Sequence, residues 1–479
     1  MPQAKGEAQV NSNKKAGNEK APELHRQAFR TSRLLDFLSE KELVAQIGHS
    51  LAAWPLVLIK ELLDNSLDAC EEDGVAPEIV ITVDERGLTI NDNGPGIPPD
   101  VVTDILDYSV RVSSREAYVS PCRGAQGNAL KTVVAMPFVL DGECGRVTIG
   151  ARGIRHEIGL AVDRIQQSPT IEHDQQSDER FVKNGTWITV HLSSSFFVGD
   201  GPDLQIDDDD DVDLSSSLPR DMKQRFLQIA DDFAFLNPHL SLTCDWFGER
   251  LLNVNATDST DWKKWNPCDP TSAHWYGPEH FERLVAAHLS HDTYSTIREL
   301  VAEFRGFTGS AKQKRVLDST GLHRAPLSAL VNGDGKSLDG KLVANLLAAM
   351  KEHSKPVKPA ALGIIGRHHI ASKFEAIGCQ MESFDYRKVP GETNGLPWVV
   401  ETAFGWCPDN EQRRIITGVN WSPGIINPFR ELGTFGQSLD SVLEQQRAGA
   451  HEPIVLLLHL ACPRVSFTDR GKSSVIVEN

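Results

Sequence analysis

The chain has 479 residues, too many for one compact core, so about two to four domains are expected. Its content of 40% hydrophobic and 24% charged residues is ordinary for a soluble globular protein. The net charge of −17 excludes a globally basic nucleic-acid coat, although a local basic patch stays open.

No apolar run is long enough to span a membrane, the longest candidate being 454–460. Residues 1–21 are polar and Lys-rich, without the hydrophobic stretch of a secretory signal. A disordered tail over 1–28 and a cytoplasmic protein without a membrane partner are expected. Eight cysteines without a C-x-x-C pair argue against zinc ribbons, redox motifs and a disulfide framework. His368-His369 lacks Cys or acidic neighbours at metal spacing and reads as a surface or packed pair.

Residues 29–45 carry leucines for one or two short helices, and Pro55 fits the first turn of the next one. In that helix Ile59, Leu62, Leu63, Leu67 and Cys70 share one apolar face. Glu61, Asn65 and Asp68 follow at i, i+4 and i+7 and project from the opposite side. Two carboxylates and a carboxamide on one stripe can order a water and ligate a hard cation; a solvated helix face carries the same pattern. Glu72-Asp73-Gly74 ends the helix.

Strands over 78–83 and 88–91, joined by Asp84-Glu85-Arg86-Gly87, read as a hairpin. The second strand runs into Asp92-Asn93-Gly94-Pro95-Gly96. There a carboxylate at a strand end can accept from an exocyclic amine such as that of adenine, and Gly94 and Gly96 admit backbone close to a ligand. A plain turn has the same composition.

E-x-x-x-N-x-x-D followed by D-x-G-x-G resembles the nucleotide site of the GHKL (Bergerat-fold) ATPases. The wider string Glu61-Leu62-Leu63-Asp64-Asn65-Ser66-Leu67-Asp68-Ala69, with Asp92-Asn93-Gly94-Pro95-Gly96-Ile97, is most similar to the family of topoisomerase VI B subunits. Arg123-Gly124-Ala125-Gln126-Gly127-Asn128-Ala129-Leu130-Lys131 precedes an apolar helix and resembles that family's phosphate-binding lid, a glycine-rich loop at a helix N-terminus. Ala125 replaces a Gln there, and Asn128-Ala129 stands where Ile-Gly is usual. Gly185-Thr186 matches the family's late G-T strand, and Leu236-Asn237-Pro238-His239 a stretch before its last ATPase strand, 240–245.

Residues 198–217 form an acidic, solvated loop, with five consecutive aspartates at 207–211. Residues 278–370 read as mostly helical, over 281–289, 295–303, 311–319 and 338–352. They loosely resemble the family's helix-two-turns-helix domain. Lys312, Lys314, Arg315, Lys351, Lys355 and Lys358 are candidate DNA-phosphate contacts or a solvated basic face. Strands over 397–403, 413–419 and 453–460, with helices over 427–432 and 439–448, suggest an α/β domain. Phe467-Thr468 with Lys472 is similar to the family's transducer run, whose lysine reaches the γ-phosphate. The family continues beyond that run into a long stalk helix.

The resemblance implies an α+β chain: a disordered tail (1–28), a GHKL ATPase α/β sandwich (29–265), a helical insert (266–370) and a transducer-like domain (371–479). It implies ATP and Mg²⁺ as cofactors. Glu61 then activates water, Asn65 holds Mg²⁺ and Asp92 reads adenine. Asp68, Gly94, Gly96, Gly124, Gln126, Gly127, Asn128, Lys131 and Thr186 line the nucleotide, and Lys472 senses the γ-phosphate. The implied function is the ATPase component of a topoisomerase VI-like type II enzyme that dimerises on ATP and passes double-stranded DNA. The five tyrosines are isolated, with no acidic metal block beside them, so a separate A-like cleaving subunit is implied. An ATP-gated clamp in repair or defence, without topoisomerase activity, is the alternative.

Overall fold

The computed structural model describes residues 38–108, 117–123, 129–163, 168–181, 184–197, 222–257, 262–290, 295–333, 335–432, 437–468 and 474–476. The helix α1 (Glu40–Ile47) is capped by Ser39, whose hydroxyl accepts from the Glu42 amide. α2 (Trp54–Glu72) opens with Pro55 in its first turn, where a missing N–H costs nothing. It leads into the hairpin of β1 (Glu78–Asp84) and β2 (Gly87–Asn91).

The chain continues through α3 (Pro99–Ile105), α4 (Ala129–Asp141), β3 (Cys144–Ala151), β4 (Ile154–Asp163), β5 (Ser168–Ser177) and β6 (Thr186–His191). It then forms α5 (Met222–Leu236), β7 (Ser241–Trp246) and β8 (Glu249–Val254). The eight strands make one sheet in the order β5-β4-β3-β6-β2-β1-β7-β8. Every pairing is antiparallel except β1 with β7, where Ile79 lies opposite Leu242. Helices α2, α4 and α5 pack on one another and on the sheet. Leu58, Leu62 and Leu67 of α2 meet Ile79, Ile81, Leu88 and Ile90 in the buried apolar layer, where each side chain contributes about 1.5–3 kcal/mol.

A second apolar cluster gathers α6 (Pro278–Ser290), α7 (Ile297–Ala302), α8 (Ser310–Thr320) and α9 (Gly340–His353) around Phe281, Leu300, Val316 and Leu346. A third lies under α10 (Arg367–Ala376) and the long hairpin of β9 (Gln380–Thr393) and β10 (Leu396–Trp406). β11 (Arg414–Val419), β12 (Ser422–Pro423), α11 (Leu439–Gln445) and β13 (Ile454–Ala461) complete a five-stranded sheet, β12-β11-β13-β10-β9. The chain is thus α+β, an α/β sandwich followed by a helical segment and a second α/β layer.

Several sequence expectations need amendment. β5 carries one large apolar residue, Ile171, because an edge strand facing solvent needs no apolar alternation; nothing in its sequence announced it. The expected helix over 427–432 is absent. Asn427-Pro428 opens a turn instead, with the Asn427 side chain accepting from the Phe429 amide. Cys379 and Cys407, 28 residues apart, meet at the open end of the β9–β10 hairpin and are disulfide-bonded, a single local cross-link and not the framework that the cysteine spacing argued against.

His369 is buried between Thr257 and the carbonyls of α5, while His368 is exposed. Lys312, Lys314, Arg315, Lys355 and Lys358 are exposed, whereas Lys351 turns inward and donates to the Tyr276 carbonyl at 2.8 Å. No single described helix is long and apolar enough to cross a membrane.

Candidate functional site

Polar groups on α2 divide into two sets. Glu61 and Asn65 are partly exposed, the Glu61 side chain retaining 29% of its accessible surface. Lys60, Asp64, Asp68 and Glu71 are buried. Asp68 therefore does not extend the Glu61–Asn65 stripe as the spacing suggested. Its carboxylate accepts from Arg123 at 2.8 Å instead.

Arg123 is the centre of a buried ion cluster. Its guanidinium makes a bidentate pair with Glu71, both bonds at 2.7 Å, and also donates to Asn237 Oδ1. Glu71 further takes His239 at 2.9 Å and Lys264 at 2.5 Å. Burial alone would raise the Glu71 carboxyl, but Arg123 and Lys264 hold it well below the ordinary carboxylate range. For Asp68 burial wins and its carboxyl titrates high; burial and Arg123 together depress the Lys264 ammonium. Arg123 immediately precedes Gly124, so the cluster clamps the stem of the glycine-rich segment.

Asp92 leaves the end of β2 buried and held on three sides. Oδ1 accepts from the amides of Gly94 and Thr186, each at 3.0 Å, and Oδ2 from Ser66 Oγ of α2 at 3.0 Å. Burial pushes its carboxyl up, with the three donors opposing. A carboxylate offers about four acceptor positions, so one lone pair remains for an external donor. Gly185, at φ 124, lets β6 approach: a Cβ there would lie 2.5 Å from the Asp92 carbonyl. Gly185→Ala is expected to cost about 1–3 kcal/mol, which the shift of the denaturation midpoint checks.

Gly94 and Gly96 follow Asp92, and the Cβ that Gly94 lacks would sit 3.2 Å from Asp92 Oδ1. Asn65 Nδ2 is buried and has no hydrogen-bond partner among the described residues. An unpaired carboxamide beside a partly exposed carboxylate fits a hydrated hard cation, since the amide oxygen and nitrogen exchange by a simple flip. Thr186 is buried at the start of β6. The Lys131 ammonium donates to the Asp107 carbonyl at 2.8 Å, tying α4 to the end of α3, and burial depresses it. Gly124, Gln126, Gly127, Asn128 and Lys472 lie outside the described residues.

A cavity of about 190 Å³ opens on the Lys60 side of α2, walled by Lys60, Arg123, His280, Ser422, Arg464 and Phe467. Residues of the first two apolar clusters, such as Ile425 and Val119, meet the C-terminal Val419 and Phe467 there. Of the groups around these sites, Ser66, Arg123, Lys264 and Ser422 escaped the sequence reading. Only Arg123 carried a signal, its place at the head of the glycine-rich string.

No protein-family model matches the chain. It is similar to the B subunit of type 2 DNA topoisomerase 6 from Archaeoglobus fulgidus, 22% identical over 445 residues that cover 90% of this chain and 68% of that protein. The Methanosarcina acetivorans protein of the same name is 23% identical over 446 residues, covering 88% of this chain and 64% of its own length. The chain thus spans about two thirds of these relatives. Among solved structures, the ATPase and transducer domains of DNA topoisomerase II from Balamuthia mandrillaris cover 89% of this chain and 77% of theirs, at 12% identity and a TM-score of 0.39. Along nine-tenths of its length the chain is similar to topoisomerase VI B subunits, the family that its motifs resemble.

Proposed function

We propose that the chain is the ATP-binding and ATP-hydrolysing part of a topoisomerase VI-like enzyme, with 29–265 as the nucleotide domain, 266–370 as a helical insert and 371–479 as a transducer. The observation that carries the reading is the preorganised Asp92 carboxylate, fixed by Ser66, Gly94 and Thr186, beside the helix that presents Glu61 and Asn65. Asp92 accepts the adenine amine with its remaining lone pair. Glu61 orients the attacking water and takes its proton. Bound Mg²⁺ neutralises phosphate charge, and Asn65 is the residue that would hold it.

Gly124, Gln126, Gly127 and Asn128 close on the phosphates in this reading, with Arg123 anchoring their stem. Lys472 contacts the γ-phosphate as a point charge and ties nucleotide state to the C-terminal sheet. ATP binding then brings two copies together, and a separate A-like subunit supplies DNA cleavage for duplex passage.

Sedimentation tests the reading. A non-hydrolysable ATP analogue is expected to convert monomer to dimer, and Lys472→Ala to abolish the conversion; a nucleotide-indifferent monomer would count against it. The clamp reading is favoured by Asn128 and Ala129 in the lid, where the family has Ile-Gly. A neighbouring gene for an A-like subunit, with DNA relaxation on reconstitution, decides for the topoisomerase. No such gene and no relaxation decides for the clamp.

A further inference from the structure

Lys60 stands between two carboxylates of its own helix, 2.8 Å from Asp64 Oδ2 and 3.6 Å from Glu61 Oε1. Asp64 is buried, and its other oxygen, Oδ1, has no partner among the described residues. The hydrogen bonds to this carboxylate come from Lys60 and from Ser422 Oγ, and both end on Oδ2, each at 2.8 Å. Ser422 belongs to β12 of the C-terminal sheet, so one hydroxyl from a distant part of the chain fixes the rotamer of the group that competes with Glu61 for Lys60.

The turn that delivers Ser422 is itself unusual. Asn420 and Trp421 join β11 to β12 as a two-residue hairpin loop, with φ 51 and φ 64. Left-handed backbone suits Asn, but for a bulky Trp it is a true outlier, sustained only where the surroundings over-determine it. Here they do. The Trp421 amide donates to His459 Nε2 at 3.2 Å, and its carbonyl accepts from Asn237, which also accepts from Arg123. Asn420 exchanges two hydrogen bonds with Cys462, at the end of β13, at 2.8 and 2.9 Å. His459 continues to Glu401, whose carboxylate also takes the Ile365 and Gly366 amides where the helical segment ends.

We infer that the 420–422 turn is a positioning device for Glu61, in which docked Ser422 holds Asp64 on Lys60 and thereby keeps the ammonium 3.6 Å from Glu61 instead of closed upon it, leaving the carboxylate able to act on water. Asp64, Lys60 and Ser422 are positioning residues in this scheme, and none touches the reacting atoms. Withdrawal of the turn frees Asp64 to rotate. The Lys60 ammonium then shifts toward Glu61 and masks it. Because the turn is bonded to His459 of β13 and to Cys462 just beyond it, the position of the C-terminal sheet reaches the Glu61 carboxylate. The inference rests on Glu61 acting as the base of an ATPase.

Steady-state kinetics on the full chain test it, with analogue binding measured in parallel. Ser422→Ala is expected to lower kcat about tenfold, the equivalent of about 1.4 kcal/mol, with KM and analogue affinity changed by less than about twofold. Ser422→Thr and Ser422→Val match each other in size and differ in the hydroxyl. The Thr variant is expected to keep most of the rate and the Val variant to resemble Ala, so the comparison stands even if Ala disturbs packing. Equal kcat for Thr and Val overturns the inference, as does a loss of binding that parallels the loss of rate. Wild-type chain that shows no Glu61-dependent turnover in the same assay overturns the parent reading, and the inference with it.

Discussion

Glu61→Ala is expected to lower ATP turnover about 10²–10⁴-fold while leaving ATP binding largely intact, the span that removal of a positioned general base covers. The side chain is partly exposed, and its ion pair among the described residues is the 3.6 Å approach of Lys60. Truncating it therefore leaves no cavity and does not disturb the apolar face of α2. Asp92, Gly94 and Gly96, proposed to hold the adenine, make no hydrogen bond or ion pair with Glu61 among the described residues, so the loss is expected on kcat. Phosphate release under saturating ATP measures the first effect, and equilibrium binding of a fluorescent analogue the second. Unchanged hydrolysis would remove Glu61 from the chemistry.

Arg123→Ala is expected to be among the most destabilising single changes available, at about 3–5 kcal/mol. The guanidinium has no accessible surface and serves Asp68, Glu71 and Asn237 together. Its removal leaves Asp68 without its cation inside the protein. Glu71 keeps Lys264 and His239, so the collapse is partial. Nucleotide affinity is expected to fall as well, because the stem of the glycine-rich segment loses its anchor. Arg86→Ala supplies the contrast. That arginine pairs with Asp84 on the surface, and its loss is expected to cost about 0–1 kcal/mol. Denaturation midpoints for the two variants decide the matter, and similar shifts would show that the cluster adds no more than a surface pair.

The regular elements were largely readable because they follow local rules. α2 announces itself by the spacing of Leu62, Leu63 and Leu67 and by Pro55, and the β1–β2 hairpin by Asp84-Glu85-Arg86-Gly87. The two motifs that prompted the resemblance stand out for the same reason: Glu61 with Asn65, and Asp92 with Gly94 and Gly96, lie within a few residues of each other. What stayed hidden depends on long-range pairing. No spacing rule brings Ser422 to Asp64, Lys264 to Glu71, or Cys379 to Cys407. Asp68 shows the limit most sharply. Helical periodicity put it on the stripe of Glu61 and Asn65, yet it is buried and its chemistry is set by Arg123, which arrives from another loop.

The parallel pairing of β1 with β7 has a consequence for how the chain reaches this state. Ile79 finds Leu242 only after every other strand between β1 and β7 has been synthesised, along with the acidic stretch at 207–211. Until then β1 presents an unpaired edge beside the helix that carries Glu61 and Asn65. High contact order slows the closing step, because loop entropy is spent before the pairing returns it.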